Sequence, residues 1–327
     1  LPISGKTLKD KIISTFSSNL KAILNDIVIN NKKIFVTLKS NSAEEAKKLE
    51  IFKLECEKKI SDLNYFDEIN VTFTLKAKDP YKIIAVSSCK GGVGKSTVSV
   101  NLSLALRKLG KNVGLIDADI YGPSIPKLLN LNAKPEVNQN KKIIPLEAFG
   151  IKAISIGFLI DKDKPLIWRG PMLQSAIMQL INEVYWNDID YLVIDLPPGT
   201  GDTHLTIMQK IHIDHAIIVT TPQELALSDT RKGINMFKKF NVSISGVIEN
   251  MSYFICEKCD EKHYLFGQGG GKRLSKEFNI PFLEEIPYDK SILEGADKGN
   301  PKIINENSNL NNLYINIASK VIKKSAF

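Results

Sequence analysis

The sequence predicts an α/β fold: a mostly parallel sheet covered by helices on both faces, preceded by a small α/β domain. Three observations predict it. From Lys82 onward, short unbroken apolar runs alternate with helix-period segments, the pattern of a parallel sheet buried on both sides. The first of these runs leads through a glycine- and lysine-rich turn straight into a helical segment. The stretch before Lys82 has another texture, period-two alternation followed by lysine- and glutamate-rich helical periodicity.

In chain order, residues 1–78 form the first domain of this reading. An amphipathic stretch at Leu8–Leu24 precedes "DIVINNKKIFVTLKS", two alternating runs joined at Asn30-Asn31, which is a hairpin signal. A helix over Ala43–Ser61 and the alternating strand "EINVTFTLK" complete an α-β-β-α-β unit. It closes at "KAKDP", where Pro80 punctuates a polar linker. Cys56, inside the helix, reads as a small buried hydrophobe. Residues 79–327 carry the apolar runs "KIIAVSS", "NVGLID", "YLVIDL", "HAIIVTT" and "SISGVIEN". In such sheets ligands sit beyond the carboxyl ends of the strands.

Composition bounds the function. The chain has 327 residues, 43% of them hydrophobic, ordinary for a globular protein with a sizeable core. Its net charge is +8, but lysines are interspersed with acids and asparagines and never form a block of five like charges. That argues against a dedicated nucleic-acid surface. No apolar run is long enough to span a bilayer and no charged-then-apolar leader opens the sequence, so the expected compartment is the cytoplasm, with no stable membrane association. Four cysteines do not make a disulfide framework in a chain this long.

The turn "SSCKGGVGKST", residues 87–97, is a phosphate-binding loop. Gly94, Lys95 and Ser96 close it: backbone N–H groups cradle phosphates, Lys95 reaches them, and the Ser96 hydroxyl holds Mg²⁺. The loop opens a helix expected over Lys95–Leu109, whose N-terminal dipole adds to the attraction. Cys89 stands where the loop's opening glycine belongs, and an extra lysine, Lys90, precedes Gly91, Gly92 and Val93; Thr97 follows the hydroxyl. Cys89 lies by a helix N-terminus, where a thiol pKa falls; the plainer reading is that it fills space.

Two acidic sites accompany the loop. In "GLIDADIYGPS", Asp117 and Asp119 end the second apolar run and both reach the nucleotide edge of the sheet; alone they would read equally well as turn or helix-capping aspartates. In "YLVIDLPPGTGD", Asp195 ends a run at the position of a Mg²⁺-holding carboxylate, and Gly199 or Gly201 is placed to donate an N–H to a γ-phosphate. Joined to the loop, the acids supply what phosphoanhydride hydrolysis needs, a metal site and an oriented water. The domain reads as a P-loop NTPase.

The loop resembles the x-K-G-G-x-G-K-[ST] signature of the deviant-Walker ATPases at every defined position. That resemblance implies ATP as the nucleotide and a homodimer in which Lys90 acts in trans on the partner's nucleotide, neutralising transition-state charge. Catalysis would fall to Lys90, Lys95 and Asp119. Within that class, "CKGGVGKSTVSVNLSLAL", "IDADIYGPSIP", "IWRGPM", "YLVIDLPPGTGD", "VTTPQELALSD" and "VIENMSYFICEKC" together resemble the Mrp/ApbC family of iron–sulfur cluster carrier ATPases over most of residues 82–302. The resemblance implies carriage of a [4Fe–4S] cluster to apo iron–sulfur proteins and adenine recognition by Asn250. It places Arg169 in a family motif. The leading domain also looks like the family's, without its Asp-Pro segment and loop cysteine, and Glu257-Lys258 fill the C-x-x-C where a proline is common.

Cys256 and Cys259 supply only two thiolates, whereas a [4Fe–4S] cluster or a structural Zn²⁺ wants four ligands. Three readings compete: a redox pair, although a thioredoxin-like context is absent; a zinc site that includes His263; or four thiolates brought together by two chains. The homodimer implied by Lys90 favours the last. A rival class is the positioning or partition ATPase that binds a membrane or a partner. The segment "NLNNLYINIASKVIKKSAF" lines Leu310, Leu313, Tyr314, Ile317 and Val321 along one helical face beside Lys320, Lys323 and Lys324, which suits either an interfacial anchor or packing against its own domain. A nitrogenase-reductase-like electron donor would need differently spaced cysteines.

Overall fold

The computed structural model describes residues 5–30, 32–40, 47–75, 81–120, 122–158, 170–301 and 308–325. The chain divides into two compact units, Leu1–Pro80 and Tyr81–Phe327.

In the first unit β1 (Leu24–Asn30) runs antiparallel to β2 (Lys33–Ser40), and β3 (Glu68–Leu75) lies parallel to β2 on its other side. The alternation of β2 turns Ile34, Val36 and Leu38 into the core. Against them pack Ile12 from the helix Gly5–Thr15, Leu20 from Ser18–Ile23, and Cys56 and Ile60 from Glu50–Ser61. The expected single amphipathic stretch is broken because the Ser17 side chain accepts the Leu20 N–H and starts a new helix. The parallel β2–β3 pair makes Glu50–Ser61 part of a crossover rather than a hairpin arm. Cys56 is fully buried, and burial pushes its thiol up to about 12. Asn31, the Ala43–Ala46 start of the expected helix and the Lys76–Pro80 linker lie outside the described residues.

The second unit is built on an eight-stranded sheet in the order β13-β10-β9-β4-β8-β5-β7-β6. Its strands are β4 (Lys82–Ser87), β5 (Val113–Asp117), β6 (Leu146–Ala148), β7 (Ile151–Ser155), β8 (Tyr191–Asp195), β9 (His215–Thr220), β10 (Ser243–Glu249) and β13 (Phe282–Glu285). Every pair is parallel except β6–β7 at the edge. The five predicted runs are the five central strands, β13 lying outside them beyond β10, and β7 and β6 beyond β5. Because both faces are buried, successive residues go to opposite cores: Ile83 and Ala85 to one, Ile84 and Val86 to the other. The first core is covered by the helices Gly170–Asn182, Asp202–Lys210 and Glu224–Lys239, the second by Lys95–Lys108 and Asn309–Ser325.

The final helix buries Tyr314, Ile317 and Val321 against the unit's own core. Lys320 and Lys324 donate to the carbonyls of Leu283 and Ile244. Its apolar stripe is thus spent inside the fold, and no described helix is long and apolar enough to cross a membrane. A separate hairpin, β11 (Phe254–Ile255) with β12 (Lys262–His263), follows β10.

Candidate functional site

β4 delivers the chain into the loop 88–94 at the carboxyl edge of the sheet. Gly92 and Gly94 have φ of +79° and +81°, the left-handed region that side chains avoid. A side chain at Gly94 would also run into the Asn250 carboxamide. Ser88 Oγ donates to the Lys90 carbonyl at 3.0 Å, pinning the turn, and Gly94 caps the helix Lys95–Lys108. Lys90 is half-buried and Thr97 lies one residue past Ser96 on the first helical turn.

Three elements converge on Lys95, only 5% exposed. Its Nζ lies 2.9 Å from Asp195 Oδ1 at the end of β8 and 3.7 Å from Asp119 Oδ2 beyond β5. Ser96 Oγ donates to Asp195 Oδ2 at 2.6 Å, and Ser99 Oγ, one turn along the same helix face, lies 2.7 Å from Asp195 Oδ1. Asp195 is therefore a buried acceptor for one ammonium and two hydroxyls.

The β5–β8 register sets Asp117 directly beside Asp195. Asp117 stands with Asp195 at the carboxyl edge of the sheet, but its carboxylate is engaged by the chain. It is fully buried, and its oxygens accept from the Ile125 N–H (3.1 Å), the Ser155 hydroxyl (3.0 Å) and the Asp119 N–H (3.2 Å). Burial, reinforced by the Asp195 charge, raises its pKa. Asp117 thus shapes the loop that presents Asp119. Gly199 is likewise committed: its N–H donates to the Ser88 carbonyl at 3.0 Å, so it reaches a phosphate only if that bond opens. Gly201 caps the helix Asp202–Lys210, its carbonyl accepting the His204 N–H at 3.0 Å.

Cys89 fills space, the plainer of its two readings, and is no reactive thiol. It is buried against Gly233, and burial pushes it up to about 11 despite the helix N-terminus. Asn250, 6% exposed, donates its Nδ2 to the Val93 carbonyl at 2.9 Å and so fastens the end of β10 to the loop. Beside it opens a cleft of about 110 Å³ lined by Thr97, Asn250, Met251, Pro287, Tyr288 and Leu293. Arg169 lies outside the described residues.

Sequence reasoning missed several supporting groups. Glu249 ends an apolar run as Asp117 and Asp195 do, and it is fully buried. It accepts from the Ser252 hydroxyl and the Gly271 N–H, holding the hairpin's root to the start of the helix Gly270–Phe278. His204 is 1% exposed and hydrogen-bonded to the Pro197 carbonyl. Burial and the nearby Lys95 charge hold its pKa down to about 4, so it is neutral. Nothing in "GTGDTHLT" signals this, because it depends on the helix folding back under the loop.

Cys256 and Cys259 sit at the tip of the β11–β12 hairpin, half-buried and exposed respectively. The turn closes through Cys256 N–H to the Glu261 carbonyl (3.0 Å) and Asp260 N–H to the Cys256 carbonyl (2.9 Å). Backbone N–H groups of Lys258 and Cys259, and the Cys259 thiol, hydrogen-bond the Cys256 sulfur and lower its pKa. Donor atoms of Cys256, Cys259 and His263 all lie within 4.8 Å of one another.

Comparison with known proteins agrees with this geometry. An iron–sulfur protein required for NADH dehydrogenase in Arabidopsis thaliana mitochondria is 47% identical over 243 residues, 74% of this chain and 78% of the relative. An iron–sulfur cluster carrier protein of Haemophilus influenzae is 48% identical over 241 residues, 73% of this chain but 65% of the relative's length. The solved nucleotide-binding protein of Archaeoglobus fulgidus, in complex with ADP, is 42% identical with a TM-score of 0.60, covering 67% of this chain and 86% of that one. The family model described as ParA, NUBPL iron-transfer P-loop NTPase, matches residues 80–322, the same span that holds the loop, both acidic sites and the hairpin; the chain belongs to that family.

Proposed function

We propose that this chain is an ATP-hydrolysing carrier that binds a [4Fe–4S] cluster between two copies of itself and passes it to apo iron–sulfur proteins in the cytoplasm. The observation that carries the reading is the hairpin: two cysteines on a solvent-reachable tip, the thiol pKa of one lowered by N–H donors, on a segment fastened at its start to the nucleotide loop through Asn250. A carrier must release its cargo, and an exposed tip permits that. Relatives at 47–48% identity are named as iron–sulfur proteins and carriers, which supports the cargo. The buried final helix and the cysteine hairpin leave the membrane-anchored positioning ATPase without support.

ATP would lie with its phosphates over Gly91–Thr97 and its base in the cleft beside Asn250; the ADP of the A. fulgidus relative supports a nucleotide there. Mg²⁺ fits the donor set: Ser96 and Asp195 offer hard oxygens, and Asp195 already holds a cation in the Lys95 ammonium. When bound, Mg²⁺ neutralises developing phosphate charge. Lys95 exchanges Asp195 for the β/γ-phosphates, Asp119 orients the attacking water, and Lys90 of each chain completes the other's site. Gly199 leaves Ser88 as the loop 196–201 moves, coupling phosphate occupancy to the rest of the chain.

Anaerobic reconstitution with iron and sulfide tests the cargo. About two irons per chain are expected, one cluster per dimer by the four-thiolate rule. Cys256→Ala or Cys259→Ala should each abolish it, and Cys56→Ala and Cys89→Ala should retain it. Zinc alone, bound by single chains and indifferent to iron and sulfide, would end the carrier reading and leave the ATPase standing.

A further inference from the structure

The two thiols share their hairpin with a third donor, and the strand register puts it there. β11 and β12 pair Phe254 with His263 and Ile255 with Lys262. Cross-strand partners share a face, as do residues two apart on one strand, so Cys256 and His263 are diagonal neighbours on one face. The opposite face holds the register: Lys262 Nζ sits 4.2 Å over the Tyr253 ring, and the Tyr253 and Tyr264 rings lie 6.2 Å apart. A one-residue slip would turn His263 away from the thiols and break both contacts. Around a zinc-sized tetrahedral ion, bond lengths of ~2.0 to ~2.3 Å put donors ~3.3 to ~3.8 Å apart. The three donors here, all within 4.8 Å, need only a small inward rotation.

We propose that Cys256, Cys259 and His263 of a single chain form a three-donor site for one divalent ion of the zinc class, with the fourth position open to solvent. This rests on the reading of the two cysteines as metal-bound thiolates, and adds a ligand and a stoichiometry: one ion per chain without a partner, instead of half a cluster per chain with one. Two thiolates and an imidazole select a borderline ion over Mg²⁺. Binding displaces one proton from each thiol, and His263 coordinates through a neutral ring nitrogen. A cluster taking four thiolates from two chains leaves no place for His263, so single-ion binding and cluster loading exclude each other on the same cysteines.

The full chain, reduced and anaerobic, is titrated with Co²⁺ alone as a spectroscopic probe. The expected result is tetrahedral d–d absorption with thiolate-to-cobalt charge transfer at one cobalt per chain, independent of protein concentration. His263→Ala should weaken binding by at least ~10-fold, the floor set by losing even an outer partner of a metal ligand. His263→Cys should restore affinity and raise charge-transfer intensity per cobalt by about half, three thiolates replacing two. Unchanged cobalt affinity and spectrum in His263→Ala overturns the proposal. The same variant, given iron and sulfide, should keep its cluster. Cluster without a His263-dependent cobalt signal defeats this site alone; cobalt binding without a cluster in the native chain defeats the carrier reading alone.

Discussion

Replacing Lys95 by methionine keeps the side chain's length and deletes its charge, which isolates what the ammonium does in the folded site. Asp195 is fully buried with Nζ at 2.9 Å, and Asp119 has its carboxylate at 3.7 Å. Removing one partner of a buried ion pair costs about 3–5 kcal/mol. Asp195 keeps the Ser96 and Ser99 hydroxyls, so the low end applies, roughly 3 kcal/mol at pH 7. The cost depends on pH with a definite sign. Asp117, beside Asp195, has its folded pKa raised above its unfolded one by burial and the Asp195 charge. With the ammonium gone the two carboxylates repel unrelieved, a penalty that is largest when both are ionised and is relieved as pH falls and the folded Asp117 takes up a proton. Urea unfolding of both proteins at pH 7 and again near pH 5.5, followed by circular dichroism and by tryptophan emission, reads this directly, since Trp186 is packed in the core. With a slope near 3 kcal/mol/M, the midpoint should drop by about 1 M at neutral pH and by clearly less in acid. A drop below about 0.3 M at pH 7, or equal drops at both pH values, would refute the reasoning. ATP binding should be lost in parallel.

Lys90→Ala should bind ATP and hydrolyse it poorly, and mixing it with an Asp119→Asn chain should restore part of the turnover through one intact site per heterodimer; no recovery at any ratio in a phosphate-release assay counts against action in trans. His204→Gln should flatten the acid limb of stability. The folded imidazole titrates near 4 against 6.5 unfolded, so the native chain loses stability as pH falls from about 6.5 toward 4. At pH 5 that loss is about 2 kcal/mol, visible as a steeper fall of the urea midpoint than in the variant. Identical pH profiles would show that the buried imidazole is not what resists protonation.

The central sheet was legible because its strands are buried on both faces and read as unbroken apolar runs. β7 and β13 are five and four residues long, β6 three, and their apolar content is too brief to separate from loop. The loop and its carboxylates were legible because glycines, a lysine and run-ending acids mark a strand-to-helix turn. The division of labour among those acids was not. Whether Asp117 faces ligand or backbone depends on where the Ile125 N–H and Ser155 arrive, and Ser155 is 38 positions away. The cleft beside Asn250 was invisible for the same reason: Thr97, Asn250 and Leu293 meet only in three dimensions. Asp26, before β1's core residues, shows the opposite limit, a side chain that accepts the next residue's N–H, legible from sequence but of no consequence for the site.

The packing of the final helix on Lys95–Lys108 sets the order in which the molecule can be made. Lys108 hydrogen-bonds Asn311 across 203 positions, and Tyr314, Ile317 and Val321 cover the same core as Val98, Leu102 and Leu106. The first unit closes its core with contacts made inside the first 80 residues and can fold while the rest is still on the ribosome. The nucleotide-loop helix cannot. Its apolar back stays open until residue 309 and beyond have emerged, a contact of high order that slows the search. During synthesis the second unit therefore exposes this apolar helix face until its last helix emerges, and its dependence on chaperones should include that interval.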